Sequence, residues 1–118
     1  MSGGAVGATS YHNPRCSKSR QALELLQERG IEPTIVKYLD TPPTVEELRT
    51  LITDAGITPR QAVRVKEPEF TELGLLGVDD DELLAAMVAH PRLIERPFVV
   101  TPKGTRLARP TAAVEEIL

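Results

Sequence analysis

Ala5-Val6-Gly7-Ala8-Thr9-Ser10-Tyr11-His12-Asn13-Pro14-Arg15-Cys16-Ser17-Lys18-Ser19-Arg20 is the stretch on which the fold turns. Its first part, Ala5 to Tyr11, reads as a short strand. It is a weak one, because Gly and Ala are poor strand residues whose preference tertiary pairing must override. From about Lys18 to Arg29 the spacing becomes helical: Ala22, Leu23 and Leu26 share a face, and Gly30 is a natural stop. Pro33 to Tyr38 then reads as a second strand, with Pro at its start where a missing donor is tolerated. Two strands joined by one helix predict a right-handed parallel crossover. Cys16 falls at or just before the start of that helix.

Beyond the crossover, Thr41-Pro42-Pro43 reads as a loop. Thr44 opens a helix, with Glu47 three residues on as its capping-box partner. Val45, Leu48, Leu51, Ile52 and Ala55 follow helical spacing to Gly56. Short helices are expected over Pro59–Val63 and Pro68–Leu73, the latter ended by Gly74. Asp79 and Glu82 repeat the capping logic for a helix to Ala89, with Leu83, Leu84, Met87 and Val88 inward and Pro91 as terminator. Pro97 to Val100 and Thr105 to Ala108 read as a hairpin about Pro102-Lys103-Gly104. Thr111 is expected to cap a last helix through Leu118. The predicted fold is α/β: a thioredoxin-like (glutaredoxin-like) mixed sheet with a helical insertion, forming a single domain over residues 1–118.

Composition narrows the chemistry. The chain has 118 residues, one domain's worth, and a net charge of −3. Tyr11, Tyr38, Phe70 and Phe98 are its only aromatic residues. Neither a base-stacking platform nor a global basic field is present, so no nucleic-acid partner is expected. No apolar run reaches the ~18–20 residues of a membrane span. Met1 to Ala8 lacks a charged start followed by an apolar core, so no secretory signal is expected. One cysteine excludes an intramolecular disulfide framework, and with two His no metal site is expected. A cytoplasmic, reducing compartment is the expectation.

A lone cysteine is commonly a small buried hydrophobe. Cys16 instead lies among Arg15, Ser17, Lys18, Ser19 and Arg20, residues that belong near water. A helix start and cationic neighbours both depress a thiol pKa. Ser19 could donate its hydroxyl to the thiolate, and His12 could add a positive charge. The same free amides that favour a thiolate would cradle a tetrahedral oxyanion.

His12-Asn13-Pro14-Arg15-Cys16, Arg64, the pair Arg96-Pro97 and the run Arg106-Leu107-Ala108-Arg109-Pro110 together resemble the ArsC-type, glutaredoxin-linked arsenate reductases. The likeness runs from Tyr11 nearly to Leu118 and includes Glu32-Pro33-Thr34, Thr41-Pro42-Pro43-Thr44 and His90-Pro91. The Cys16-Ser17-Lys18-Ser19 form is similar to a shorter branch of that family; Ser17-Lys18 stands where the best-described members carry Gly-Thr. The resemblance implies that Cys16 is the nucleophile forming a thiol–arsenate ester. It implies that Arg64, Arg96 and Arg109 bind the oxyanion, as guanidinium forks suit paired oxygens. It assigns His12 and Ser19 to lowering the cysteine pKa, and Pro97 to a cis bond beside the cysteine. Arsenate or a similar oxyanion is then the substrate. No cofactor is tightly bound. Glutathione or an equivalent low-molecular-weight thiol is the co-substrate, and a glutaredoxin-like protein the electron donor. A monomer is expected.

The single thiol sharpens this. Arsenate reduction takes two electrons, and one cysteine cannot form an internal disulfide, so the reducing thiols must come from outside. Two alternatives stay open on sequence alone. One is a thiol-sensing regulator that contacts RNA polymerase, whose sensors are usually Cys-x-x-Cys, whereas Ser19 takes the second position here. The other is a different cysteine-dependent oxidoreductase on the same fold.

Overall fold

The computed structural model describes residues 8–118. The Ala5–Gly7 part of the expected first strand, and nearly all of the segment read for a secretory signal, lie outside the described residues. The chain divides into two compact units: the part up to Thr41 together with Arg96–Leu118, and Pro42–Glu95.

The first unit is a four-stranded mixed sheet in the order β2-β1-β3-β4. β1 (Thr9–Tyr11) runs parallel to β2 (Thr34–Val36), connected through α1 (Ser17–Glu28). β3 (Phe98–Thr101) is antiparallel to β1 and turns back into β4 (Gly104–Leu107). This is the parallel crossover and closing hairpin that the sequence predicts. β2 is shorter than the expected Pro33–Tyr38. The chain closes at once into a turn, in which the N–H groups of Asp40 and Thr41 both donate to the Lys37 carbonyl (3.0 and 2.9 Å). Tyr38 leaves the sheet and is buried.

The core of this unit lies on one face of the sheet. Ala22 and Leu26 of α1 pack with Val99 of β3 and with Ala108, Val114 and Ile117, all at most 1% exposed. Ser10 sits opposite Val99 in the ladder, so it shares that face. His12 continues the strand by donating its N–H to Val36 O (2.8 Å). Two residues beyond Ser10, its side chain falls on the same side, toward α1. The last element is a 3₁₀ helix, Thr111–Ile117, and its N-cap is Pro110. Thr111 is therefore not the cap expected of it: its hydroxyl bonds Gln21 Oε1 (3.3 Å) instead.

The second unit is the expected helical insertion. It comprises α2 (Val45–Asp54), α3 (Pro59–Ala62), α4 (Pro68–Glu72) and α5 (Asp80–Ala89), with 3₁₀ turns at Leu75–Gly77 and Pro91–Leu93. Thr44 and Glu47 form the predicted capping box at α2. A second box, Thr58 with Gln61, starts α3. Asp79 accepts the Glu82 N–H at α5 (2.8 Å). Leu48, Leu51 and Ile52 of α2 and Leu83, Leu84 and Met87 of α5 form the buried faces, and Gly74 adopts a left-handed φ of 65° where α4 gives way to the next turn. Among the described residues no helix is long and apolar enough to cross a membrane.

Candidate active site

Cys16 is the N-cap residue of α1, with extended backbone angles (φ −97°, ψ 125°). The turn before it is built by Asn13-Pro14: Asn13 Oδ1 accepts the Arg15 N–H (3.0 Å), and Asn13 O accepts the Cys16 N–H (2.9 Å). The helix therefore starts under the thiol, and its first free amides face the sulfur. Cys16 is only 8% exposed. Burial alone pushes its thiol pKa up. The Ser19 N–H, the Arg96 guanidinium, the Lys18 N–H and the Ser19 hydroxyl outweigh it, so the thiol is held below its ordinary value. The neutral thiol makes no capping hydrogen bond of its own. The amides act on the charge that appears when the proton leaves.

Ser19 is fully buried, contrary to its reading as a residue near water. Its Oγ accepts the Asn13 N–H (3.2 Å), which leaves its hydroxyl hydrogen free to donate to the thiolate. The cation that acts on Cys16 is Arg96, eighty residues away in sequence and itself buried, rather than Arg15 or Arg20. Lys18 contributes its backbone amide. The Arg96-Pro97 bond is cis, as the resemblance implies, and so is Arg109-Pro110. Arg109 is exposed, and its Nη1 donates to the Arg96 carbonyl (3.2 Å), tying the two arginine-proline segments together.

His12 is placed on the α1 side of the sheet, but it does not supply the positive charge expected of it. Burial, then the charges of Lys37 and Arg20, push its imidazole pKa down, and its Nδ1 has no protein partner. It is a neutral ring at neutral pH. Arg64 belongs to the second unit. There it pairs with Glu67 (2.7 Å) and Glu95 (3.5 Å). The structure thus gathers Cys16, Ser19 and Arg96, with Arg109 tied to Arg96, while Arg64 is engaged by two carboxylates of its own unit. Among the described residues no cluster of three or more His, Cys, Asp or Glu could hold a metal ion.

The family model for the ArsC family matches residues 11–117. The chain belongs to the ArsC family. An arsenate reductase of Rhizobium meliloti is 54% identical over 112 residues, covering 93% of this chain and 80% of the relative. One of Escherichia coli K12 is 52% identical over the same length, covering 79% of that protein. One of Neisseria meningitidis is 47% identical and is itself matched over 95% of its length. Among solved structures, an arsenate reductase from Vibrio cholerae superimposes with a TM-score of 0.91 at 48% identity, covering 97% of this chain and 99% of that one.

Within this ArsC-family chain, two participants escaped the sequence reading. The Asn13 backbone and side chain shape the turn under Cys16, a role that the Asn13-Pro14 dipeptide signals. Lys37 lies close enough to act on His12, and no local motif marks it.

Proposed function

We propose that this chain reduces arsenate to arsenite with electrons from external thiols, and that residues 1–118 serve as a single arsenate-reductase-type domain. The observation that carries the reading is the acidified Cys16 thiol at the start of α1, beside Arg96, in a chain with no second thiol. The Cys16 thiolate attacks arsenic(V). One arsenic–oxygen bond breaks and the oxygen leaves as water, giving a cysteine–arsenate ester. A first external thiol replaces a second oxygen, again released as water. A second external thiolate attacks the sulfur of the first. The two external sulfurs leave as a disulfide, and the electron pair stays on arsenic, now arsenic(III). Water then breaks the last sulfur–arsenic bond, freeing arsenite and Cys16. The sum is arsenic acid plus two thiols giving arsenous acid, one disulfide and one net water.

In this scheme Cys16 is the nucleophile and the Ser19 hydroxyl steadies its charge. The neutral His12 ring stands on the α1 side as a polar neighbour without charge. Arg96 and Arg109 bind the oxyanion through charge-assisted donors. The resemblance assigns the same role to Arg64, whose ion pairs with Glu67 and Glu95 would have to loosen for it; Arg64→Ala tests its share separately. Glutathione or a similar thiol and a glutaredoxin-like protein supply the electrons, with no tightly bound cofactor. A monomer in the cytoplasm, where thiols are kept reduced, suits this chemistry.

The test is arsenite formation from arsenate with glutathione and a glutaredoxin, and with alternative thiols. Turnover by the native chain and none by Cys16→Ser is expected. No Cys16-dependent arsenite with any thiol donor would overturn the assignment.

A further inference from the structure

The backbone around Arg64 is fixed, while its side chain is shared between carboxylates. Val63 and Ile94 form an isolated antiparallel bridge, with the Arg64 N–H donating to Leu93 O and the Glu95 N–H to Ala62 O, both at 2.7 Å. The Glu67 N–H closes a turn on Arg64 O (3.1 Å). Only the side chains are left to change partners. Arg64 Nη1 donates to Glu67 Oε1 (2.7 Å), and its Nε faces Glu95 Oε1 (3.5 Å). A guanidinium offers paired donors along Nη1–Nη2 or along Nε–Nη2. Either pair includes a nitrogen that already stands beside a carboxylate.

Glu67 is the pivot of this arrangement. Its Oε2 accepts from Arg92 Nη2 (3.2 Å), so one carboxylate spans two arginines. The Glu67 side chain is only 12% exposed, against 28% for Arg64 and 64% for Arg92. Glu67 is the N-cap residue of α4, yet its side chain makes no capping hydrogen bond there. The carboxylate serves the two cations and not the helix. Desolvation offsets much of the attraction in a partly buried ion pair, so stability alone is a weak reason for this placement.

We propose that Glu67 is a positioning residue that sets which anions Arg64 accepts: its carboxylate occupies Arg64 in the free chain, a dianionic tetrahedral oxyanion displaces it, and Arg92 keeps the displaced carboxylate. This rests on the oxyanion role proposed for Arg64 above. The discrimination follows from charge. Exchanging one singly charged acceptor for another gains Arg64 nothing and takes a partner from Glu67. A doubly charged oxyanion attracts the same guanidinium about twice as strongly at equal distance. Arg92 eases the exchange, because Glu67 never loses its second cation.

The probes are sulfate, an unreactive tetrahedral dianion, and perchlorate, the same shape with one charge. The concentration of each that half-protects Cys16 from iodoacetamide is measured in the native chain, Glu67→Gln, Arg92→Gln, the double variant, and Arg64→Ala with and without Glu67→Gln. Glu67→Gln is expected to bind sulfate at least threefold more tightly and perchlorate at least tenfold more tightly, so selectivity for the dianion falls. Arg92→Gln is expected to weaken sulfate at least twofold, and to have no effect once Glu67 is Gln. In the Arg64→Ala chain, Glu67→Gln should change nothing. A purely structural role for Glu67 predicts no gain in affinity. Unchanged or weaker sulfate binding in Glu67→Gln, unchanged selectivity, or the same gain without Arg64 would overturn the proposal. In the native chain, the Arg64 and Arg92 Nε–H signals in NMR should shift at one common sulfate midpoint; an Arg92 signal that stays still overturns it as well. Anion binding that Glu67→Gln tightens through Arg64, with no arsenite formed by any thiol, would overturn the reductase reading and support this role of Glu67. Arsenate turnover with protection indifferent to Glu67 would do the reverse, and sulfate that protects Cys16 in no variant would overturn both.

Discussion

Ser19→Ala removes one oxygen that serves two partners. In the native chain Ser19 Oγ accepts the Asn13 N–H at 3.2 Å and holds its own hydrogen for the Cys16 thiolate. Alanine leaves the Asn13 amide without its acceptor at the foot of the turn. An unsatisfied donor of this kind costs about 1–3 kcal/mol. For a chain of this length each kcal/mol shifts Tm by about 4 °C, so thermal unfolding moves down by about 4–12 °C. The thiol responds as well. Its amide and Arg96 interactions remain while the hydroxyl is lost, so the Cys16 pKa moves up and less thiolate is present at neutral pH. Circular dichroism melts, with the pH dependence of iodoacetamide alkylation on the same samples, read both effects. If Ser19→Ala melts with the native chain and its alkylation profile is unshifted, the hydroxyl does not bridge Asn13 and Cys16, and the account of the turn is wrong.

Other consequences can be measured with the same tools. Arg96→Gln removes the cation that acts on Cys16: alkylation should shift to higher pH, and arsenate turnover should fall by about 10²-fold, as for loss of one preorganised donor. An unchanged alkylation profile would show that Arg96 does not reach the thiol. His12 has a depressed folded pKa, so it is neutral in both states above its unfolded value of ~6.5 and contributes no pH dependence there. Below that pH the unfolded chain takes up the proton first, so native stability falls as pH drops from 6.5 toward the lowered folded value. His12→Gln should remove that part of the loss, seen as a smaller drop in Tm between pH 7 and pH 5.5 than in the native chain. Equal drops would mean the ring is not held neutral. In the second unit, Thr44→Ala removes the side-chain half of the α2 capping box, the acceptor of the Glu47 N–H, and should cost about 1 kcal/mol in urea unfolding, whereas an unchanged midpoint would show that the box is not supporting the helix.

What could be read in advance follows from how local each signal is. The start of α1 under Cys16, the α2 capping box and the β3–β4 hairpin are set by residues within a few positions of one another, and all are present. The Thr58 and Gln61 box carries the same short signature, a Thr followed three residues later by Gln, just before Pro59 at the first helical position. β2 ended early because two amides converge on the Lys37 carbonyl, a turn that Lys37-Tyr38-Leu39-Asp40 does not advertise. Thr111 looked like a cap, but its hydroxyl finds Gln21 of α1 across ninety residues, and a tertiary partner outbid the local role.

The site divides in the same way. Thiol acidification by helix-start amides follows from position alone. That the effective cation is Arg96, and that His12 is neutral, depend on which distant segments pack beside the turn. Arg15 and Arg20 neighbour Cys16 in sequence, yet Arg20 Nη1 donates to the Pro14 carbonyl (3.1 Å), and the Arg20 charge instead helps keep the histidine uncharged.

The central claim is that α1 and Arg96 turn a buried lone cysteine into a thiolate poised to meet an oxyanion. The pH profile of iodoacetamide alkylation at Cys16, recorded with and without saturating arsenate, tests it most directly. A midpoint below the ~8.5 of a free cysteine, with labelling suppressed by arsenate, is the result expected. A midpoint at or above 8.5, or labelling that arsenate leaves unchanged, would contradict it.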